Sequence, residues 1–239
     1  MKRLILLSLL LVTALLYQSC DRARYHVFKS YVTRYCKFED IGIDTTKAGN
    51  IIIRGKGRVK HYSWRDEGGE KTTYEALCRK HNDLTYNKKR EYHLRPEWGV
   101  CSAVDFREID IVSDKDFDAE HPAGTSLKDI VRFVSISPKK FIDSGYKETF
   151  NWEKNEPKIF KKEKDTNKLF SYSELKNYFP INGLLKDIGT DEMQMLPVNT
   201  HGILFFDKEP TAEKEHLLTV TIYIGARKKL VRTITKVFK

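Results

Sequence analysis

The stretch LLTVTIYI at residues 217–224, followed by GARKK at 225–229 and LVRTITKVF at 230–238, decides the fold. In both outer parts, apolar and β-branched side chains recur at every second position, which is the period of a β-strand. Gly225 opens the segment between them and favours a tight turn. The pattern predicts a C-terminal β-hairpin. Because a two-stranded ribbon alone is marginally stable in water, we expect this hairpin to pack on a larger sheet.

Other parts of the chain also have strand patterns. Tyr25–Phe38 alternates between two apolar sides, and Val104–Val112 alternates less regularly. Asn50–Ile53 and Arg58–Trp64, joined across Gly55-Lys56-Gly57, predict a second hairpin with glycines in its turn. Strands at both ends of the chain indicate one cooperative unit.

Short helices are predicted between the strands. Helical spacing of Leu127, Ile130, Val131 and Val134 predicts a helix that begins near Ser126. Other short helices are expected within 74–86, from Ser137-Pro138 to Gly145 and at 173–179. Residues 66–71 are expected to form a loop, and 150–165 a charged surface excursion. The whole pattern favours a mainly β fold, an antiparallel immunoglobulin-like β-sandwich with short helical insertions.

The first twenty residues predict export and lipidation. Lys2 and Arg3 precede an apolar run, Leu4 to Tyr17, that is shorter than the roughly 20 residues of a membrane span. Ser19-Cys20 resembles the end of a bacterial lipobox. We therefore expect residues 1–19 to be a signal peptide, residues 20–25 a lipidated cysteine and tether, and residues 26–239 a single β-rich domain. The alternative is an ordinary secreted protein in which Cys20 is a plain thiol.

A lipid anchor indicates where in the bacterial envelope the protein is located. Two or more acyl chains hold a protein stably on a membrane. Residues 21–24, DRAR, lack the acidic cluster that resembles a surface-export signal. We expect an outer-membrane protein that faces the periplasm, with the cell surface as the alternative.

Part of the chain resembles a known family. The stretch Cys101–Tyr146, with IDIVSDKDFD at 109–118 and HPAGTSLKDI at 121–130, resembles a domain-of-unknown-function family of predicted lipoproteins from Gram-negative gut anaerobes. The resemblance implies a compartment and an architecture. It implies no activity and no catalytic residues.

Composition limits the partners. A hydrophobic fraction of 40% argues against a disordered stalk, and the formal net charge is +10. Basic groups such as Lys88-Lys89-Arg90 either attract anionic headgroups and acidic glycans or belong to a solvated surface. Export makes nucleic acid an implausible partner. The expected partners are the membrane, through the anchor, and a glycan or another envelope protein.

The sequence does not decide whether the remaining cysteines form a disulfide or stay free thiols. Beyond Cys20, the chain contains Cys36, Cys78 and Cys101. Cys78 and Cys101 are the pair we expect to form a disulfide in an oxidising envelope. Three buried free thiols are the alternative.

Two groups of side chains are candidate binding sites. The first consists of aspartates at every second position: Asp114, Asp116 and Asp118. Alternate carboxylates can bind one calcium ion, although Ala119 and Thr125 replace the glycine and the glutamate of an EF-hand loop. A solvated turn is the alternative.

The tryptophans are candidates for a sugar-stacking platform, with core packing as the alternative: Trp64, Trp98 and Trp152.

No sequence motif indicates catalysis. The chain lacks H-E-x-x-H, G-x-S-x-G and a phosphate-binding glycine loop, and no cofactor is predicted. We therefore expect a non-enzymatic binding or structural module. The alternative is a glycan-acting hydrolase, which needs two carboxylates across a cleft.

Overall fold

The computed structural model describes residues 25–91, 99–162, 176–225 and 227–238. The strands within these ranges are β1 (Tyr25–Phe28), β2 (Arg34–Thr45), β3 (Ile51–Ser63), β4 (Lys88–Glu91), β5 (Val100–Ser102), β6 (Phe106–Ser113), β7 (Val131–Ser137), β8 (Phe179–Leu184), β9 (Thr200–Phe206), β10 (Glu215–Ile224) and β11 (Lys228–Val237). The helices are α1 (Gly68–Lys80), α2 (Lys139–Asp143), α3 (Trp152–Asn155) and α4 (Lys158–Lys162). The predicted mainly β fold with short helices is confirmed. No helix in the described ranges has the length and apolarity needed to cross a membrane.

A six-stranded sheet lies at the centre, in the order β5-β2-β3-β9-β7-β8. Its neighbouring strands are antiparallel, except that β5 runs parallel to β2. Ile51 and Ile53 pack on one side of the sheet and Ile52 on the other, and each is at most 1% exposed. The sheet is therefore mixed and is buried on both faces.

A three-stranded sheet, in the order β11-β10-β6, covers the first face. Ile109 and Ile111 of β6, with Val220 and Ile222 of β10, share one core with Ile51 and Ile53. β10 is the middle strand and pairs with β11 from Glu215 to Ile224. The predicted C-terminal hairpin is confirmed. β10 is part of the core, and β11 packs against it through the partly buried Leu230 and Ile234.

Helices cover the second face and add a third layer to the predicted two-sheet sandwich. Tyr74 and Cys78 of α1 are one turn apart and are both buried with Ile52. Trp152 of α3 and Phe160 of α4 belong to the same core. The prediction of a loop at 66–71 was wrong from Gly68 onwards, where α1 begins. The prediction of a surface excursion at 150–165 was wrong for the described part, 150–162, because Trp152 and Phe160 are buried in this helical layer.

The predicted hairpin around Gly55 is instead the continuous strand β3. A Cβ atom at Gly55 would lie 2.0 Å from a ring carbon of Phe38 on the neighbouring strand. The glycine leaves room for this ring and does not reverse the chain. Gly57, with a φ of +78°, lies where the pairing of β2 and β3 shifts between Phe38 and Asp40.

The helix predicted from Ser126 to Val134 is also wrong. Only a turn and β7 occupy this region. Val131 and Phe133 contribute to the core on one face of the sheet, and Val134 and Ile136 to the core on the other. A strand buried on both sides has an almost continuous apolar sequence, which also contains helical spacings by chance.

The two glycines Gly202 and Gly69 give opposite expectations for substitution by alanine. A Cβ at Gly202 would lie 2.1 Å from the ring of the fully buried Phe133, whereas a Cβ at Gly69 meets no atom within 4 Å. We expect Gly202→Ala to lower the free energy of unfolding by roughly 1–3 kcal/mol through overpacking. Gly69→Ala in α1 should raise it by up to about 1 kcal/mol.

Urea denaturation followed by circular dichroism measures both effects. Equal stability of the Gly202→Ala variant and the wild type would contradict the close packing of Phe133 over β9.

Candidate functional site

A cleft of about 510 Å³ lies between β1, α1 and Trp64. Its volume is within the range of small-ligand sites. Its wall includes aromatic side chains from β1 and the end of β3, and charged side chains from α1. The residues on which the following analysis depends are His26, Phe28, Trp64, Lys71, Glu75 and Arg79.

The aromatic wall is a compact stack. The rings of His26 and Trp64 are stacked, with centroids 4.3 Å apart and planes at 26°, and Phe28 meets Trp64 edge-on at 4.9 Å. The alternation of β1 turns both His26 and Phe28 inwards. The guanidinium of Arg65 also lies over the indole, 5.0 Å from its centroid. The His26 ring and the Arg65 guanidinium each lie over the indole of Trp64. A sugar that stacks on an indole face covered by one of them must displace that side chain.

The charged wall comes from one face of α1. Lys71, Glu75 and Arg79 are spaced four residues apart, so they follow each other along the helix surface. The Lys71 ammonium donates to the carbonyl oxygen of Trp64, which joins the charged wall to the aromatic wall. Arg79 and Glu75 form an exposed ion pair at 4.0 Å, which contributes little to stability. With Lys29 also lining the cleft, cations outnumber the single carboxylate.

The structure does not assemble the predicted tryptophan platform from Trp64 and Trp152. Trp64 lines the cleft, whereas Trp152 is buried in the helical layer and donates from Nε1 to the carbonyl oxygen of Tyr178 at 3.1 Å. Trp98 lies outside the described residues. Core packing, the alternative prediction, therefore describes Trp152.

The predicted calcium site is not formed by its three aspartates. Asp114 accepts from the backbone N–H of Leu217 at 2.8 Å, and Asp116 from that of Ala123 at 2.8 Å. Asp118 accepts from the N–H groups of Glu120 and His121. Asp116 and Asp118 accept from backbone N–H groups of turns, as in the alternative prediction of a turn with capping aspartates, whereas Asp114 accepts from β10.

Asp118 belongs instead to a histidine-centred cluster. Asp118, Glu120 and His121 place potential metal ligands within 4.8 Å of one another. Both ring nitrogens of His121 already have partners, because Nδ1 lies 2.6 Å from Asp118 and Nε2 lies 2.9 Å from Asp129. Burial lowers the pKa of His121, but the two carboxylates outweigh it and the pKa is raised. The cluster is an ion-pair network that closes a loop.

Cys36, Cys78 and Cys101 are buried free thiols, so the expected pairing of Cys78 with Cys101 is not present. Cys78 lies within α1, and the sulfur of Cys101 lies 3.8 Å from the hydroxyl of Tyr178. Burial raises the pKa of both Cys36 and Cys78 to about 11. These thiols stay protonated and are poor nucleophiles or metal ligands. Cys20 lies outside the described residues.

A buried serine–histidine pair was not predicted from the sequence. The hydroxyl of Ser113 lies 2.7 Å from Nδ1 of His216, and Nε2 of His216 lies 2.9 Å from the carbonyl oxygen of Glu213. The two side chains come from positions far apart in the sequence, and no motif links them. Ser113 is 2% exposed and His216 is 0% exposed. Their burial prevents access by a substrate, so the pair joins the end of β6 to the start of β10.

A second cleft, of about 430 Å³, is lined by four carboxylates from α2 and from the loop between β8 and β9: Asp143, Asp187, Asp191 and Glu192. Three of these groups have partners. Asp143 pairs with Lys139 at 2.5 Å, Asp191 accepts from Gln194 at 3.0 Å, and Glu192 accepts from the N–H of Gly189 at 2.7 Å. Phe179 and Ile188 supply apolar surface.

His121 should contribute stability that depends on pH. Its raised pKa means that the imidazolium stabilises the folded state fully below pH 6.5 and loses this effect as the pH rises through the raised value. We expect His121→Gln to destabilise the protein more at pH 6 than at pH 9. Urea denaturation at both pH values measures this difference.

The exposed His61, whose Nδ1 lies 3.2 Å from the sulfur of Cys36, provides the control, since His61→Gln should change stability less than His121→Gln at pH 6. NMR titration of the His121 ring reports its pKa directly, and a value at or below 6.5 would refute the ion-pair assignment.

The comparisons with known proteins leave the site to be judged on its own geometry. No family model, curated protein or solved structure matches this chain. The resemblance of residues 101–146 to a lipoprotein family stays a prediction.

Proposed function

We propose that the protein is a lipid-anchored binding module of the bacterial envelope whose cleft takes an acidic glycan. The observation that carries the proposal is the wall of His26, Phe28 and Trp64 beside Lys71 and Arg79. Aromatic rings offer apolar surface to a sugar, and the excess of cations favours a carboxylated one. The immunoglobulin-like form of the sandwich is part of the same proposal, supported by the two stacked sheets.

The proposed location follows from the leader. An export signal at residues 1–19 and lipids on Cys20 would hold the protein on the outer membrane, facing the periplasm. The short tether places the described domain close to that membrane. A ligand in this compartment is an envelope glycan or a glycan imported through the outer membrane.

Binding is favoured over catalysis because two candidate reactive groups of the described ranges, Asp83 and the Ser113–His216 pair, are buried. Asp83 has a pKa raised to about 6 by burial, but it is 0% exposed, and its oxygens accept from the N–H groups of Tyr31 and Val32 at 2.7 and 2.8 Å. These two hydrogen bonds fix the segment between β1 and β2. Ser113 and His216 are equally inaccessible.

A glycan-acting hydrolase remains the second candidate. The observation in its favour is the second cleft, where four carboxylates surround apolar surface. Glycosidases act with a pair of carboxyl groups on opposite sides of the bond. If this candidate is right, Asp187→Asn or Glu192→Gln abolishes hydrolysis of a glycan by the purified protein.

The binding proposal is tested with acidic and neutral oligosaccharides, for example oligogalacturonate and its uncharged counterpart, by isothermal titration calorimetry. We expect preference for the acidic ligand. Arg79→Gln removes a charged contact and should weaken binding by about ten- to a hundredfold, since such a contact is worth about 1.5–3 kcal/mol.

Arg58→Gln removes the same charge from an exposed position on β3 and is the matched control. Equal binding of acidic and neutral ligands, or equal weakening by both substitutions, would disprove the assignment of the cleft.

The anchor is tested separately. We expect wild-type cells to incorporate labelled palmitate into the protein and the Cys20→Ala variant to lose the label. Label that persists in the variant contradicts lipidation at this residue. Protease treatment of intact cells should leave the domain undigested, and its digestion would assign it to the cell surface.

A further inference from the structure

Four strands form the outer edges of the two main sheets, and three of them have features that hinder the addition of a further strand. β5 is only three residues long, and β8 contains Pro180, which has no N–H to donate. The outer edge of β6 forms a bridge from Val112 to Ser126. β11 has ten residues, no proline and no register shift in its pairing with β10. Its free edge therefore lacks these features.

The backbone groups on the free edge of β11 follow from its pairing with β10. The N–H of Phe238 donates to the carbonyl oxygen of Lys214 at 2.8 Å, and antiparallel strands alternate between groups that point at the partner strand and groups that point away. The N–H and C=O groups of five residues therefore point away from β10: Lys229, Val231, Thr233, Thr235 and Val237. Within the described ranges β11 pairs only with β10, and of these backbone groups only the Val231 carbonyl has a partner, the side chain of Arg232.

The side chains of the same five residues lie on the outer face of the sheet. All are exposed, with Val231 at 46% and Val237 at 65%. The side chains between them point inwards, where Arg232 donates to the carbonyl oxygen of Ile41 on β2 at 3.0 Å. Lys236 likewise donates to the turn between β2 and β3. β11 is thus tied to the other sheet from its inner face, and its outer face stays open.

The charge of β11 indicates what kind of strand fits beside it. Its charged side chains are all basic: Lys228, Lys229, Arg232 and Lys236. Arg232 is paired with Asp40, whereas Lys228 and Lys229 are exposed and have no ion pair among the described residues. A second copy paired along this edge would bring two basic strands together, and like charges on neighbouring strands are destabilising. A strand that carries carboxylates would gain ion pairs instead.

We propose that the free edge of β11 binds an extended acidic segment of another protein by β-strand addition. The outward N–H and C=O groups pair with the backbone of that segment, and its carboxylates lie near Lys228 and Lys229. The exposed Val231 and Val237 offer apolar surface to its alternate side chains. This proposal depends neither on the lipid anchor nor on the cleft, because β11 contributes no residue to that cleft.

The test uses the purified protein and two blocked peptides of about ten residues, the length of a long strand. One alternates threonine with glutamate, and the other alternates threonine with lysine. Fluorescence anisotropy of the labelled peptides measures binding. We expect the acidic peptide to bind roughly tenfold more tightly than the basic one, since exposed ion pairs replace repulsions.

Thr233→Pro removes the N–H at the centre of the free edge. Because this N–H points away from β10, an edge strand tolerates the proline. The variant should bind the acidic peptide roughly tenfold more weakly, since a hydrogen bond is lost and the ring hinders approach. Thr233→Val is the matched control, because it keeps the N–H and should bind like the wild type. Thermal melts followed by circular dichroism check that both variants are folded.

The lysines are tested with a second pair of variants. Lys228→Gln/Lys229→Gln should weaken binding of the acidic peptide by roughly two- to tenfold, as expected for exposed ion pairs. Lys147→Gln/Lys154→Gln removes two exposed lysines elsewhere and should change binding little.

Amide exchange measured by NMR on the wild type needs no substitution. The acidic peptide should newly protect every second amide of β11, from residue 229 to residue 237, because the intervening amides already donate to β10. Equal binding of the two peptides, equal binding by Thr233→Pro and Thr233→Val, or protection that does not alternate overturns the proposal. Dimerisation that protects the same amides without any peptide overturns it in favour of a second copy.

Discussion

Burial of both faces of the central sheet is the constraint on which the rest of the structure depends. Ile51, Ile52 and Ile53 are successive residues of one strand, so their side chains must leave the sheet in alternate directions. Each is buried, and each buried aliphatic side chain is worth roughly 1.5–3 kcal/mol. Each face of the sheet must therefore pack against another layer of the structure. The β11-β10-β6 sheet is one, and the helices α1 to α4 supply the other.

Regular alternation made the outer elements predictable, and burial on two sides obscured the inner ones. The hairpin of β10 and β11 has one apolar face, so its period is visible in residues 217–238. β7 is apolar on both faces, and its sequence matches a helical spacing equally well. Gly55 has a role that depends on a ring from another strand, which a sequence does not reveal.

Only part of the site was predictable from the sequence, because its residues come from separate segments of the chain. Trp64 was a candidate because of its residue type, but its companions come from β1 and α1, and their proximity depends on the tertiary fold. The alternate aspartates suggested convergence on a cation. Backbone N–H groups of a turn and of β10 donate to these carboxylates instead, and the second partner of His121 is Asp129. Local spacing did not indicate either outcome.

The order of strands in the central sheet has a consequence for how the chain folds. β3 pairs with β9, where Ile52 lies opposite Ile203, and β9 separates β3 from β7. Pairings between such distant segments make folding slow, because a long loop must close first. Until β9 arrives, the hairpin of β2 and β3 exposes an isoleucine-rich edge that is prone to aggregation. Rapid addition of β9, or a chaperone that covers this edge, would shorten the time for which it is exposed.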